Sequence, residues 1–271
     1  MTGPSRVATP LVAVDVVAAV DTVGGQVHGL LDGLRSQVAS RFDGRRRPTQ
    51  SELGIDDLAA AMLRLPDLPL AGAGFVAAQD ALADVPYWLQ WWTTDPDAAQ
   101  PVVQRLQVQT DPAAEDFRDY TGLAWFTGPR DTGEPCLTGP YVDYLCTDEY
   151  TLTFTQPVET AVGLVGVVGA DLYVRALEAR VLPALARLDS PAALVNATGR
   201  VVTASGTGWV TGDLVRDVPV SRWMREGTDG DDAWELHRCT TVPLAVLQAT
   251  PPLTCDPDPA DVPLSGAIRG P

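Results

Sequence analysis

Apolar residues recur every three or four positions near the start of the chain: Val16, Val20, Val23, Val27, Leu30, Leu34 and Val38, with polar Asp21, Gln26, Asp32 and Arg35 between them. That period predicts one long amphipathic helix over residues 9–43. At about 1.5 Å per residue it would span roughly 50 Å, enough to brace a sheet and still offer a stripe to a partner. Core packing is the first expectation for the stripe, and a homodimer seam the second. Arg45-Arg46-Arg47-Pro48 breaks the helix. Thr49 and Glu52 then form a T-x-x-E capping box for a second helix, which Leu65-Pro66 ends.

From Gly74 the period changes to two. Residues 74–78, 87–93 and 102–109 read as three antiparallel strands. In the second, Tyr87, Leu89 and Trp91 face one way, and Trp88, Gln90 and Trp92 the other, so both faces are covered or one lines a pocket. Residues 116–126 read as a short helix over that sheet. Residues 141–143, 150–158 and 163–170 supply two or three more strands, and residues 174–188 a helix with Pro183 as a candidate kink. The expected result is one antiparallel sheet of five or six strands between residues 74 and 170, with the first helix along one face.

After Ser190-Pro191 a smaller unit begins. A hairpin over residues 193–204 turns at Thr198-Gly199, a helix covers 218–226, and 235–249 is strand-rich. About 60 residues make a marginal core alone, so this unit should dock on the first. The Pro-rich stretch 251–271 reads as a disordered tail. The expected units are therefore residues 9–189, 190–250 and the tail.

Composition narrows the function classes. A hydrophobic fraction of 45% and 7 Trp supply a real core. The 19 basic and 35 acidic residues leave a net charge of −16, which disfavours nucleic acid and anionic membrane surfaces as partners. Residues 1–19 make a poor signal peptide, interrupted by Arg6, Pro10 and Asp15, and the longest apolar run is about half the ~20 residues of a spanning helix. Those observations predict a cytoplasmic protein. Four cysteines without a CxxC pair, and two distant histidines, give no zinc site. Free thiols are expected, although a Cys136–Cys146 bridge is conceivable. With no Ser-His-Asp set, metal cluster or phosphate loop, neither an enzyme nor a cofactor is expected.

The candidate chemistry sits in residues 116–171. Trp125-Phe126 is followed by Gly139-Pro140-Tyr141-Val142-Asp143, then by a second strand run ending Gly169-Ala170-Asp171. Aromatic walls and two acids suit a small cation. The order of helix, Trp-aromatic, GPYVD, long hairpin, VGVVGAD and helix resembles the Cache sensor domains, the extracytoplasmic PAS-like fold, over roughly residues 11–210. It is most like the ligand-binding module of double Cache domains, and residues 193–202 look like the opening of a second, reduced module. The resemblance implies an α+β fold with a PAS-like antiparallel sheet and a non-catalytic sensor for an amine or amino-acid-like ligand. A separate output protein is then expected.

In amino-acid-binding members of that family a Tyr, an Arg, a Trp and a Tyr on the short helix precede the Y-x-D element and a closing Asp. Trp125, Tyr141, Asp143 and Asp171 match in type and spacing, and Phe126 stands where Tyr is usual. Tyr120 and Trp91 complete the expected ligand set. Leu123 replaces the Arg that would grip a carboxylate, and Arg118 replaces a Tyr. On a continuous helix Arg118 would start about 140° away from that position, so it could stand in only by reaching the pocket rim. The amino half of the site is kept: an ammonium has three donors, and Asp143, Asp171 and Tyr141 could accept them. The ligand expected is therefore an amine without an α-carboxylate. The alternative is a regulatory protein with a degenerate pocket that acts through its helices.

Overall fold

The computed structural model describes residues 11–42, 44, 46–94, 102–142 and 149–250. The fold is α+β. Helix α1 (Leu11–Ala39) runs for 29 residues. Its seam is Val16, Val20, Val23, Val27, Leu31, Leu34 and Val38, each at most 3% exposed. Leu31 rather than Leu30 takes the central place, because a step of four from Val27 keeps the stripe on the 3.6-residue period.

The T-x-x-E box forms, but on a different element. Glu52 accepts from the Thr49 backbone N–H at 2.8 Å within a 3-10 turn at Gln50–Glu52. Gly54 at φ +61 ends that turn, and helix α2 (Asp56–Met62) starts separately. A box supplies bonds for one turn only, so the left-handed Gly54 stops it from propagating.

Six strands make the large sheet: β1 (Leu70–Ala77), β2 (Leu89–Thr94), β3 (Val103–Arg105), β4 (Cys136–Val142), β5 (Tyr150–Thr160) and β6 (Gly163–Tyr173). Their order is β3-β2-β1-β6-β5-β4, and every pairing is antiparallel.

One face of this sheet carries Phe75, Trp92, Phe154, Ala170 and Leu172. They share one core with α1 and with helix α4 (Val174–Leu185). Pro183 falls in the last turn of α4. His28 closes the edge of this layer: burial lowers its pKa, and the neutral ring can accept at Nδ1 from the Gln156 amide at 3.3 Å. The opposite face carries Val76, Leu89, Trp91 and Val167 beneath helix α3 (Ala124–Thr132).

A second sheet has the order β8-β7-β10-β9, formed by β7 (Ala192–Asn196), β8 (Val201–Ser205), β9 (Trp234–Arg238) and β10 (Leu244–Ala249). One of its faces packs on α5 (Val220–Glu226) through Trp223, Leu236 and Leu247. Its other face places Leu194, Val202, Leu244 and Val246 in the core of α1 and α4. The Asn196 amide donates to Gly139 O on β4 at 2.6 Å. A two-faced sheet of this size buries enough apolar surface only by sharing the larger core.

The junction with α1 is also polar. Asp21 accepts from the backbone N–H groups of Thr240 and Thr241, each at 2.8 Å, and from both hydroxyls. Gly24 makes the approach possible, since a Cβ there would stand 2.5 Å from Thr241 Oγ1. Burial would raise the Asp21 pKa, but these hydrogen bonds hold it below the ordinary value. A depressed folded pKa gives stability that is present above the unfolded value, near 3.8, and lost as pH falls through the folded one. Asp21→Asn should therefore cost about 1–2 kcal/mol at neutral pH. Thermal melts of variant and parent should converge as the pH drops below about 3.8. A gap that stays constant down to pH 2 would contradict this.

Candidate functional site

The cavity lies on the α3 side of the large sheet, and strand register builds its floor. Thr138 pairs with Thr153, Thr153 with Asp171, and Asp171 with Gly72. These four residues form a row across β4, β5, β6 and β1, with their side-chain positions on one face. Two bulges set that row. One, between Val158 and Glu159, shifts β5 by one residue so that Thr153 meets Asp171. Another, at Gly139-Pro140, shifts β4 so that Tyr141 meets Thr151 and joins the same face. A one-residue slip would send either side chain to the opposite face.

The resulting cavity measures about 380 Å³, within the usual range for small-ligand sites. Its walls are mostly apolar: Val76, Leu89, Leu106, Val108, Leu123 and Val142, with the aromatics Trp91, Tyr120, Trp125 and Tyr141. Polar groups converge at one end. The Tyr141 hydroxyl lies 2.6 Å from Thr153 Oγ1, which donates to Asp171 Oδ1 at 2.6 Å. A threonine hydroxyl has one proton. With that proton on Asp171, Tyr141 donates to Thr153. Asp171 is 5% exposed and is the only charged residue in the lining among the described residues.

The structure brings five of the expected site residues together here: Trp91, Tyr120, Trp125, Tyr141 and Asp171. Asp171 sits inside β6, three residues before α4 begins, and Tyr173 holds that helix's cap position. The Tyr120 hydroxyl is held by Gln109 O at 3.2 Å and offers mainly its ring. Asp143 lies outside the described residues, as do Cys146 and the tail 251–271.

Two expected residues stand elsewhere. Phe126 is 2% exposed and packs beneath the cavity wall, its ring edge-on to Trp125 at 6.3 Å. Neighbours on a helix diverge by about 100°, so one of the pair can face the cavity and the other cannot. Arg118 is exposed, and its guanidinium donates to Phe117 O at 2.9 Å. The expected helix over residues 116–126 is absent. Asp119 caps a 3-10 turn at Tyr120–Gly122, Leu123 is extended, and α3 begins at Ala124. A short polar side chain that bonds its own backbone two residues on favours a turn over a helix.

Val76, Leu89, Thr138, Thr153, Leu106 and Val108 also line the cavity, and residue-type matching did not single them out. Alternation along β5 would have put Thr153 opposite Phe154, but its pairing with Asp171 depends on the bulge. Cys136 and Cys239 are free thiols, and burial pushes Cys239 up to about 12. No helix among the described residues is long and apolar enough to cross a membrane.

Residues 79–179 match the family described as methyl-accepting chemotaxis protein-like, first PDC sensor domain. No curated protein matches the chain in sequence. Solved structures share its fold. The periplasmic sensory domain of the Campylobacter jejuni chemoreceptor Tlp1 is 12% identical, with 89% of this chain and 93% of that one covered and a TM-score of 0.61. The extracellular domain of histidine kinase soHK1S-Z6 is 13% identical, with coverage of 89% and 91% and a TM-score of 0.60. The sensory domain of Campylobacter jejuni chemoreceptor Tlp3, solved with isoleucine bound, is 11% identical, with coverage of 88% and 89% and a TM-score of 0.53.

These matches correct the cytoplasmic expectation, since the similar domains are periplasmic or extracellular. That expectation rested on a weak leader pattern and on the short longest apolar run, and neither property reports where a binding domain works. Residues 79–179 thus match a PDC sensor-domain family, and the chain has the fold of such Cache-type domains.

Proposed function

We propose that this domain senses a small primary amine with an apolar body, held in the cavity between the large sheet and α3. The carrying observation is a single buried carboxylate, Asp171, at one end of an otherwise apolar pocket. Asp171 would accept from the ammonium, with the Tyr141 hydroxyl beside it. Trp125 and Trp91 offer aromatic faces to the cation, and the aliphatic lining takes the rest of the ligand. The negative charge of the whole chain favours a cation's approach. A pocket that had decayed would be filled by side chains, so an open cavity favours a ligand over the degenerate-pocket alternative.

The Tlp3 domain with isoleucine bound supports a ligand of amino-acid size. No Arg, Lys or His lines the cavity among the described residues, and an unpaired buried carboxylate is costly. The preferred ligand therefore lacks the α-carboxylate. In this reading residues 9–189 sense, residues 190–250 form a smaller second module, and α1 can pair with a second copy. A separate output protein would receive the signal.

Calorimetry with 3-methylbutan-1-amine and leucine tests the proposal, because the two differ only by the carboxylate. The amine should bind more tightly, and at 100 times its dissociation constant it should stabilise the fold by about 2.7 kcal/mol. Tighter binding of leucine, with the advantage lost in Arg118→Ala, would make Arg118 the carboxylate anchor and overturn the preference.

A further inference from the structure

Three glycines on adjacent strands open a trough in the cavity floor. A Cβ on Gly72 would stand 2.3 Å from Trp91 Nε1, one on Gly74 2.9 Å from Trp91 Cε3, and one on Gly169 3.0 Å from Trp91 Cη2. Those atoms span the indole from its N–H edge to the far side of its benzene ring. The ring therefore lies down across β1 and β6, and a side chain at any of the three positions would crowd it. Glycine inside a strand commonly marks such a close approach.

The N–H edge of the ring reaches the row that holds Asp171. The same Gly72 Cβ position is 3.2 Å from Asp171 Oδ2, so the indole nitrogen and this carboxylate oxygen flank the same point above β1. Trp91 is 7% exposed and lines the cavity. Its indole N–H donates to no acceptor among the described residues. A buried indole N–H ordinarily finds a partner, so a donor left open toward a cavity is a group for the ligand.

Resting on the amine reading above, we infer that the ligand carries a neutral oxygen acceptor on the carbon next to its amine-bearing carbon, and that Trp91 Nε1–H donates to it. The class is an α-amino alcohol or α-amino amide. An N–C–C–O unit bridges two groups that converge this closely: its ammonium meets Asp171 and its oxygen meets the indole. A carboxylate oxygen is a poor substitute, because one neutral N–H leaves its charge unpaired beside Asp171. The Thr138 hydroxyl also lines the cavity, but it lies at the other end of the row, beyond Thr153.

Calorimetry on the parent chain and on Trp91→Phe, which keeps an aromatic floor and removes the N–H, tests the inference. The probes are 3-methylbutan-1-amine, leucinol and leucinamide. The parent should bind leucinol about 3–10-fold tighter than the amine, the worth of one neutral hydrogen bond. Trp91→Phe should bind those two equally, at an affinity lowered for both by its weaker aromatic face toward the cation. A cooperative thermal melt reports that the variant is folded. An equal affinity for amine and leucinol in the parent, or an advantage that survives in Trp91→Phe, would overturn the inference and leave the amine reading intact. Absence of binding by all three probes would overturn both.

Discussion

Asp171→Ala should weaken 3-methylbutan-1-amine binding by about 10- to 100-fold, since a charge-assisted hydrogen bond contributes about 1.5–3 kcal/mol. The ligand's ammonium would then sit in an apolar cavity with the Tyr141 oxygen as its remaining partner. Asp171→Asn separates charge from shape. Its amide oxygen can still accept from Thr153, so the Tyr141–Thr153 chain has a reason to persist, yet the carboxylate charge is gone. Both variants should lose binding to a similar degree. Calorimetry that found unchanged affinity in Asp171→Asn would remove the ion pair from the account, and with it the main reason for expecting an amine.

Phe126→Ala should lower stability by about 3–5 kcal/mol, the usual cost of truncating a fully buried phenylalanine. For a chain of this size that corresponds to a melting point lower by roughly 6–20 °C. The reason is its place: at 2% exposure it packs with Val76, Leu89, Trp91 and Val167 between α3 and the sheet. Trp125→Ala on the same helix should behave differently. Its ring is only partly buried and lines the cavity, so it should cost ligand affinity more than melting temperature. Equal melting points for Phe126→Ala and the parent would show that the wall behind the cavity does not depend on this ring.

Much of the architecture was readable in the chain. The three-and-four spacing from Val16 to Val38 is a local property, and one turn of helix is enough to express it. The alternation in residues 87–93 likewise separated Leu89 and Trp91 from Trp88, Gln90 and Trp92. In the fold the first pair faces the cavity cluster, while Trp88 and Trp92 join the main core. Trp125, Tyr141 and Asp171 were named from residue type and spacing, and all three line the cavity.

Residues 116–126 were misread as a helix for a local reason: the Asp119 side chain captures the backbone into a turn first. That capture left Arg118 in solvent and voided any argument from helical rotation. Compartment was misread because composition constrains it weakly.

The sequence alone determined the long helix, the antiparallel strands and the residue types at the polar end of the cavity. Tertiary structure decided which of those residues meet. A strand's two faces differ by one residue of register, and two single-residue bulges set that register at Val158/Glu159 and Gly139-Pro140. Pairing energy depends on partners far away in the chain, so no local pattern announces such a shift. The same holds for Gly72, Gly74 and Gly169, which read as weak strand residues until the Trp91 indole is seen lying over all three.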